Sequence, residues 1–258
     1  MPERRASDSQ MRFLPVYAAY AAALSGAFWQ NGVRNSARQP SAAQGPTPAS
    51  ILIVGASGGT GRELVTQALD RGYRVTALAR DLLSIQTKHE RLRVVQGDVL
   101  DYPSLESAVK GHDAVVCALG HKQYFRPTRI LSQGTINLLR AMNGQGVRRL
   151  VCETALGIGS SAGRMGLYYT FCVLPIILPF YFWDKTRQEQ AIAASLADWV
   201  IVRPGALTNG PRRRRYRHGA NIGSFLTTVR ISRADVADFM LNQLTDNAYL
   251  KAAPGVCW

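Results

Sequence analysis

The stretch that decides the fold is Ile51-Leu-Ile-Val-Gly55-Ala-Ser57-Gly58-Gly59-Thr60-Gly61-Arg62-Glu-Leu-Val65. Four apolar residues predict a short buried strand, and Gly55, Gly58 and Gly61 follow at G-x-x-G-x-x-G spacing. Leu64, Val65, Ala68 and Leu69 then fall on one helical face. Strand, glycine loop and helix form a phosphate site. Gly55 permits a tight turn, Gly58 lets a pyrophosphate approach the backbone, and Gly61 lets the helix pack on the strand. The N–H groups at the helix start, from Ser57 through Gly59 and Thr60, face the anion. A second strand, Arg74–Leu78, completes a βαβ unit.

The end of that second strand selects the dinucleotide. An acid there binds the ribose diol of NAD, whereas an arginine accommodates the 2′-phosphate of NADP. The strand runs into Leu78-Ala79-Arg80, and Arg62 adds a second guanidinium after the loop. Two planar forks suit a phosphate dianion better than a diol. Asp81 lies one residue past the ribose-reading position. The expectation is NADP(H).

The remainder of the chain predicts one α/β domain. Leu92–Gln96 is a third strand ending at Gly97-Asp98-Val99, and Tyr102–Lys110 a helix. Asp113–Gly120 is a fourth strand, Ile130–Asn143 a helix and Arg149–Thr154 a fifth strand. Lys185–Leu196 is a helix and Trp199–Gly205 a sixth strand. Repeated βα units mean a doubly wound parallel sheet, the Rossmann fold, covered by helices on both faces. Small elements on the substrate side end the chain. Ligands bind outside the carboxyl ends of the strands.

The chain has 258 residues and a 47% apolar composition, enough for one large domain over 49–258. Cys117, Cys152, Cys172 and Cys257 form no C-x-x-C pair, and His89, His112, His121 and His218 have no ligand spacing. Neither a disulfide nor a metal site is expected. The net charge is +14, and no nucleic-acid motif accompanies it. An anionic cofactor and substrate are the favoured reading, with nucleic acid not expected and an anionic membrane surface left open.

Residues 1–48 read as a targeting presequence or disordered extension. Phe13–Trp29 is apolar behind Arg4, Arg5 and Arg12, and no acid occurs between Asp8 and Glu63. The expected destination is a plastid or mitochondrion. The alternatives are a cytoplasmic protein or an anchor formed by residues 13–29, which are short for a spanning helix.

From Ile51 to about Val256, roughly four-fifths of the chain, the sequence resembles the atypical short-chain dehydrogenase/reductases. The branch is the NAD(P)H-binding one of biliverdin reductase B and the NmrA-like proteins. The residues that carry the resemblance are the glycine loop, Leu-Ala-Arg80-Asp81, Gly97-Asp98-Val99-Leu100, Asp113-Ala-Val-Val through Leu119-Gly120, and Val202-Arg-Pro-Gly205. Ile231-Ser-Arg-Ala-Asp235-Val-Ala-Asp238-Phe-Met matches a late helix. The resemblance implies that Gly55–Gly61, Arg62 and Arg80 hold the phosphates. It also implies that Asp98 and Val99 contact adenine, and that Leu119 and Gly120 lie under the nicotinamide-side ribose. Thr154 falls at or beside the Ser/Thr that polarises a substrate carbonyl. Ala155 takes the place of the serine of biliverdin reductase B, which puts a shared hydroxyl role in doubt.

Tyr181 and Lys185 are one helical turn apart on one face. In the superfamily such a lysine binds the ribose and lowers the tyrosine pKa, and the tyrosine is a general acid. Tyr181 is also one of several aromatics in Leu167–Trp183, an apolar stretch whose Pro175 and Pro179 argue against a regular helix. That stretch is placed at the substrate lid, lining an apolar pocket, touching a membrane or simply packing. Arg212–Arg215, Arg217 and His218 are read as a solvated loop at the rim.

The function expected is NADPH-dependent hydride transfer to a small-molecule acceptor, conjugated and anionic, of flavin, quinone or tetrapyrrole type. The alternative is an NADP(H)-binding redox sensor or assembly factor without turnover.

Overall fold

The structure is a computed structural model and describes residues 45–258. The stretch Phe13–Trp29 and the rest of the proposed presequence up to residue 44 lie outside the described residues.

The order of elements opens with β1 (Ser50–Val54), α1 (Gly59–Asp70), β2 (Arg74–Ala79), β3 (Leu92–Gln96) and α2 (Tyr102–Val109). It continues with β4 (Ala114–Cys117), α3 (Ile130–Gly144), β5 (Arg149–Glu153), α4 (Pro179–Ala193) and β6 (Asp198–Pro204). It closes with β7 (Ala206–Thr208), β8 (Arg217–Gly219), β9 (Arg230–Ser232), α5 (Arg233–Asn242) and β10 (Gly255–Cys257). One eight-stranded sheet has the order β3-β2-β1-β4-β5-β6-β10-β8. It is parallel except at β8, and β7 and β9 form a separate parallel pair. This is the doubly wound Rossmann arrangement, with the order reversing between β1 and β4.

The unbroken apolar run in β1 follows from burial on both faces. Ile51 and Ile53 pack toward one core with Leu64, Val65 and Phe239 of α1 and α5. Leu52 and Val54 pack toward a second with Leu105, Leu138 and Ile192 of α2, α3 and α4. Cys117 and Cys152 stand opposite each other in β4 and β5 as free, buried thiols.

β4 stops at Cys117 rather than running to Gly120. Ala118 still donates to Val54 O at 2.9 Å, but the chain then crosses over the glycine loop: a Cβ on Gly55, at φ +83°, would lie 2.5 Å from Ala118 O. α4 begins at Pro179, six residues before the predicted start, because proline at the first helical position sacrifices no hydrogen bond. Pro175 behaves as expected. Tyr169–Ile177 around it is a π-helix and not a regular α-helix.

The α3 start is capped from a distance. Asp184 of α4, fully buried, accepts Leu131 N–H at 2.9 Å, Ser132 N–H at 3.0 Å and the Ser132 hydroxyl at 2.5 Å. A buried carboxylate at a helix N-terminus is stabilised by those donors and by the macrodipole.

Gly61 has no latitude. A Cβ there would overlap Gly55 O and stand 2.8 Å from Ala56 Cα, both backbone atoms that cannot yield. Gly61→Ala should therefore cost about 3 kcal/mol or more. Chemical denaturation would show this as a lowered midpoint at unchanged slope.

Candidate functional site

The glycine loop ends in a helix without a side-chain cap: Gly58 precedes α1 and nothing caps it. Gly58 N–H closes the turn on Gly55 O at 3.1 Å. The first-turn N–H groups, beginning at Gly59, Thr60 and Gly61, have no intrahelical acceptor. Ser57, Gly58 and Gly59 are exposed, so these donors face outward at an anion-binding end. The Thr60 side chain is not part of that outward face. Its hydroxyl donates to Glu153 Oε1 at 3.1 Å beneath the loop. Burial pushes the Glu153 carboxyl pKa up, and nearby Lys185 opposes that rise.

Arg233 was not singled out from the sequence. Its side chain lies across the loop, so that a Cβ on Gly59 would meet Arg233 Cδ at 2.5 Å and Nε at 2.6 Å. Asn209 Oδ1 accepts its Nη1 at 2.6 Å and holds the guanidinium there. The arginine sits in the Ile231-Ser-Arg-Ala stretch already quoted for the resemblance. Its register over the loop depends on the β7–β9 pair, which short strands conceal in a sequence.

Arg62 and Arg80 are both exposed, at the start of α1 and the end of β2. Asp81 turns away from the ribose position, because its carboxylate accepts Leu83 N–H at 3.0 Å and caps a 3₁₀ turn. Asp98 and Val99 do not present free side chains. Asp98 Oδ1 accepts Leu100 N–H at 2.9 Å, and Val99 packs so tightly on α3 that a Cβ on Gly134 would be 2.7 Å from its Cγ2. Only the exposed edge and backbone of this turn remain for a base.

Lys185 is the centre of the other half of the cleft. It is 1% exposed, and its Nζ donates to Leu119 O at 3.1 Å and Glu153 O at 2.9 Å. Burial pushes the ammonium pKa down, but Tyr181, Cys152, Glu153 and Cys117 outweigh it and the net direction is up, so the lysine is charged. Its Nζ is 5.7 Å from the Tyr181 ring centroid. The Tyr181 hydroxyl comes within 3.6 Å of where a Cβ on Gly120 would be. The lysine does lower the tyrosine pKa, as the family pattern implies, but burial is the larger effect and the net direction is up. His121, not placed in the site from sequence, packs edge-on to Tyr181 at 5.0 Å between centroids. It accepts Gln123 N–H at Nδ1, and burial lowers its pKa.

Thr154 is committed elsewhere. Its hydroxyl donates to Glu189 Oε1 at 2.6 Å. Arg203 grips the same carboxylate through Nε at 2.9 Å and Nη2 at 2.6 Å. Ala155 packs beside Ile158, Leu174 and Phe182. The arginine run is tied to the α1–α5 side: Asp235 Oδ1 accepts Arg213 and Arg214 N–H at 2.8 Å, and Arg212 reaches Gln67.

A family model described as NAD(P)H-binding matches residues 55–247. An uncharacterised chloroplastic protein of Arabidopsis thaliana is 32% identical over 169 residues, 62% of this chain and 60% of that protein. The divinyl chlorophyllide a 8-vinyl-reductase of Oryza sativa subsp. indica is 29% identical over 82% of this chain and 55% of its own length. The photosystem II assembly factor Ycf39 of Synechocystis is 31% identical over 39% of this chain and 32% of its own. The chain thus spans 60%, 55% and 32% of these curated relatives. Among solved structures, a short-chain dehydrogenase/reductase from Veillonella parvula in complex with NADP superposes with a TM-score of 0.68 at 19% identity. That match covers 82% of this chain and 95% of that one, and it is a likeness of fold.

Arg233→Ala should weaken NADPH binding about tenfold or more, the worth of a charge-assisted hydrogen bond to phosphate. Fluorescence titration of NADPH checks this. Arg233→Lys should recover part of the loss, because it restores charge without the fork.

Proposed function

The chain belongs to the NAD(P)H-binding family, and on that premise we propose that it is an NADPH-dependent reductase. Its acceptor is a conjugated, anionic small molecule of flavin, quinone or tetrapyrrole type. The observation that carries the reading is the Lys185–Tyr181 pair packed beside Leu119 and Gly120. NADPH, when bound, supplies the hydride. In this reading Gly55, Ser57, Gly58, Gly59, Thr60 and Gly61 cradle the pyrophosphate through backbone donors. Arg62 and Arg80 take the 2′-phosphate, Asp98 and Val99 line the adenine end by their backbone, and Leu119 and Gly120 floor the nicotinamide end. Lys185 orients the ribose. Tyr181, protonated at neutral pH, gives a proton to the acceptor as charge develops on it.

The chlorophyllide reductase among the relatives supports a tetrapyrrole-type acceptor. The chloroplastic relatives support a plastid destination through residues 1–48. One observation favours a second reading, an NADP(H)-binding assembly factor or sensor without turnover. Thr154 is tied to Glu189, and Ala155 stands at the serine position, so no hydroxyl from β5 is offered to a substrate. The relative named as a photosystem II assembly factor points the same way.

NADPH should bind at least tenfold tighter than NADH, and Arg80→Ala should remove that preference, as fluorescence titration of both cofactors would record. NADPH oxidation, followed across flavins, quinones, linear tetrapyrroles and small carbonyls, should be positive for a conjugated acceptor. Silence across that panel with NADPH bound would leave the non-catalytic reading.

Tyr181→Phe should lower turnover on such an acceptor by about a hundredfold with NADPH affinity unchanged. Because burial raises the tyrosine pKa, the donor stays protonated below its ordinary value near 10. Turnover should therefore be flat through neutral pH and fall only in strongly alkaline solution. A fall near pH 7 that persists in Tyr181→Phe would assign the proton to another group.

A further inference from the structure

We propose that the mouth of the cleft docks on the surface of an anionic lipid bilayer. Three segments contribute: the loop after β4 and the stretch after β5 that holds the π-helix, both leaving the carboxyl ends of parallel strands, and the loop between β8 and β9. They are joined to one another or to the same helix. Tyr124 of the first packs against Tyr181 at 5.9 Å between centroids. Gly166 N–H of the second donates to Ser224 O of the third at 2.8 Å, and Ser224 N–H returns to Arg164 O at 2.9 Å. The second and third segments are thus hydrogen-bonded to each other, and the first meets the helix into which the second leads; together they are called the lip.

The lip is apolar where it faces water. Phe125 is 74% exposed, Phe171 65%, Ile176 65% and Leu226 74%. Four large apolar side chains thus stand exposed on these three segments, more bare apolar surface than scattered single residues need explain.

Charge identifies the occupant. No Asp or Glu occurs in residues 114–152, 154–183 or 199–234, the stretches that contain the whole lip. Lys122, Arg126 and Arg129 are exposed on the Phe125 loop, so cations and aromatics alternate within a few residues. Apolar side chains that enter the acyl boundary, flanked by cations that meet headgroups, are the pattern of an interfacial contact. A second copy of this chain would bring the same cations against each other. A bilayer bearing anionic lipid meets both the apolar and the cationic parts. Among the described residues no helix is long and apolar enough to cross a membrane.

The test is flotation of the full chain with phosphatidylcholine vesicles, with and without phosphatidylglycerol. The wild-type chain should float with phosphatidylglycerol vesicles, more weakly with phosphatidylcholine alone and more weakly in high salt. A Phe171→Asp/Ile176→Asp variant should lose at least tenfold in vesicle partition while binding NADPH normally, which verifies its fold. A Lys122→Gln/Arg126→Gln/Arg129→Gln variant should lose about a hundredfold, since each surface cation adds roughly fivefold. Wild-type protein that stays with the soluble fraction overturns the proposal. So does flotation that neither variant reduces, because residues outside the lip then hold the membrane. A wild-type dimer in gel filtration that Phe171→Asp/Ile176→Asp converts to monomer overturns it too, with a second copy as the occupant.

Discussion

The buried ammonium of Lys185 is the constraint around which the cleft is arranged. A charge removed from water costs several kcal/mol unless its donors are satisfied. Here the Leu119 and Glu153 carbonyls, at the ends of β4 and β5, satisfy them. The lysine therefore fixes where two neighbouring strands release their chains and where α4 lies against them. Helix α4 in turn carries Asp184, which caps α3. A single side chain thus couples the floor of the cleft to the helix packed behind it. The same placement brings the Tyr181 hydroxyl over Gly120.

The other buried ionic group does different work. Glu189 binds Arg203 through both of its oxygens and takes the Thr154 hydroxyl as well. Arg203 also reaches Ser160 at 2.9 Å, so the pair ties β6 and α4 to the turn that follows β5. A buried pair of this kind seldom adds much stability over an apolar one, but losing either partner strands the other charge. The same carboxylate takes the Thr154 hydroxyl, so that side chain is built into the wall.

Legibility of the sequence followed the range of the interactions. The glycine loop could be read because its constraint is local: Gly55 needs its φ and Gly61 its missing Cβ within a few residues of each other. The parallel sheet could be read because β4 and the interiors of β1 and β5 are unbroken apolar runs, as burial on two faces demands. The neighbourhood of Lys185 and Tyr181 on one helix face could be read from their four-residue spacing. Arg233 was not, since it reaches the loop only through the pairing of two three-residue strands far from it in sequence. The fate of Val99 was equally hidden, because a glycine on α3 makes room for it. The early start of α4 was missed through reading Pro179 as a breaker when it is an initiator. The direction of the Tyr181 pKa depends on how much protein covers the ring, a quantity that spacing does not contain.

Acids and cations are also separated along the strand direction. Asp113 accepts the Ala49 and Ser50 N–H groups just before β4, and Asp198 pairs with Arg148 where β6 begins, so these carboxylates lie at the amino ends of strands. Asp81 and Asp98 follow β2 and β3 and accept N–H groups of their own turns, whereas Glu153, Asp184 and Glu189, around the carboxyl ends of β4 and β5, are buried and hydrogen-bonded. The buried three contribute little outward field. Arg62, Arg80, Lys122 and Arg126 are exposed at that same end. Around β4 and β5 the exposed charges at this end are therefore cationic, while the carboxylates there are buried. A cleft of this polarity concentrates anions at its mouth before any specific contact forms. That distribution of charge suits the phosphates of a dinucleotide.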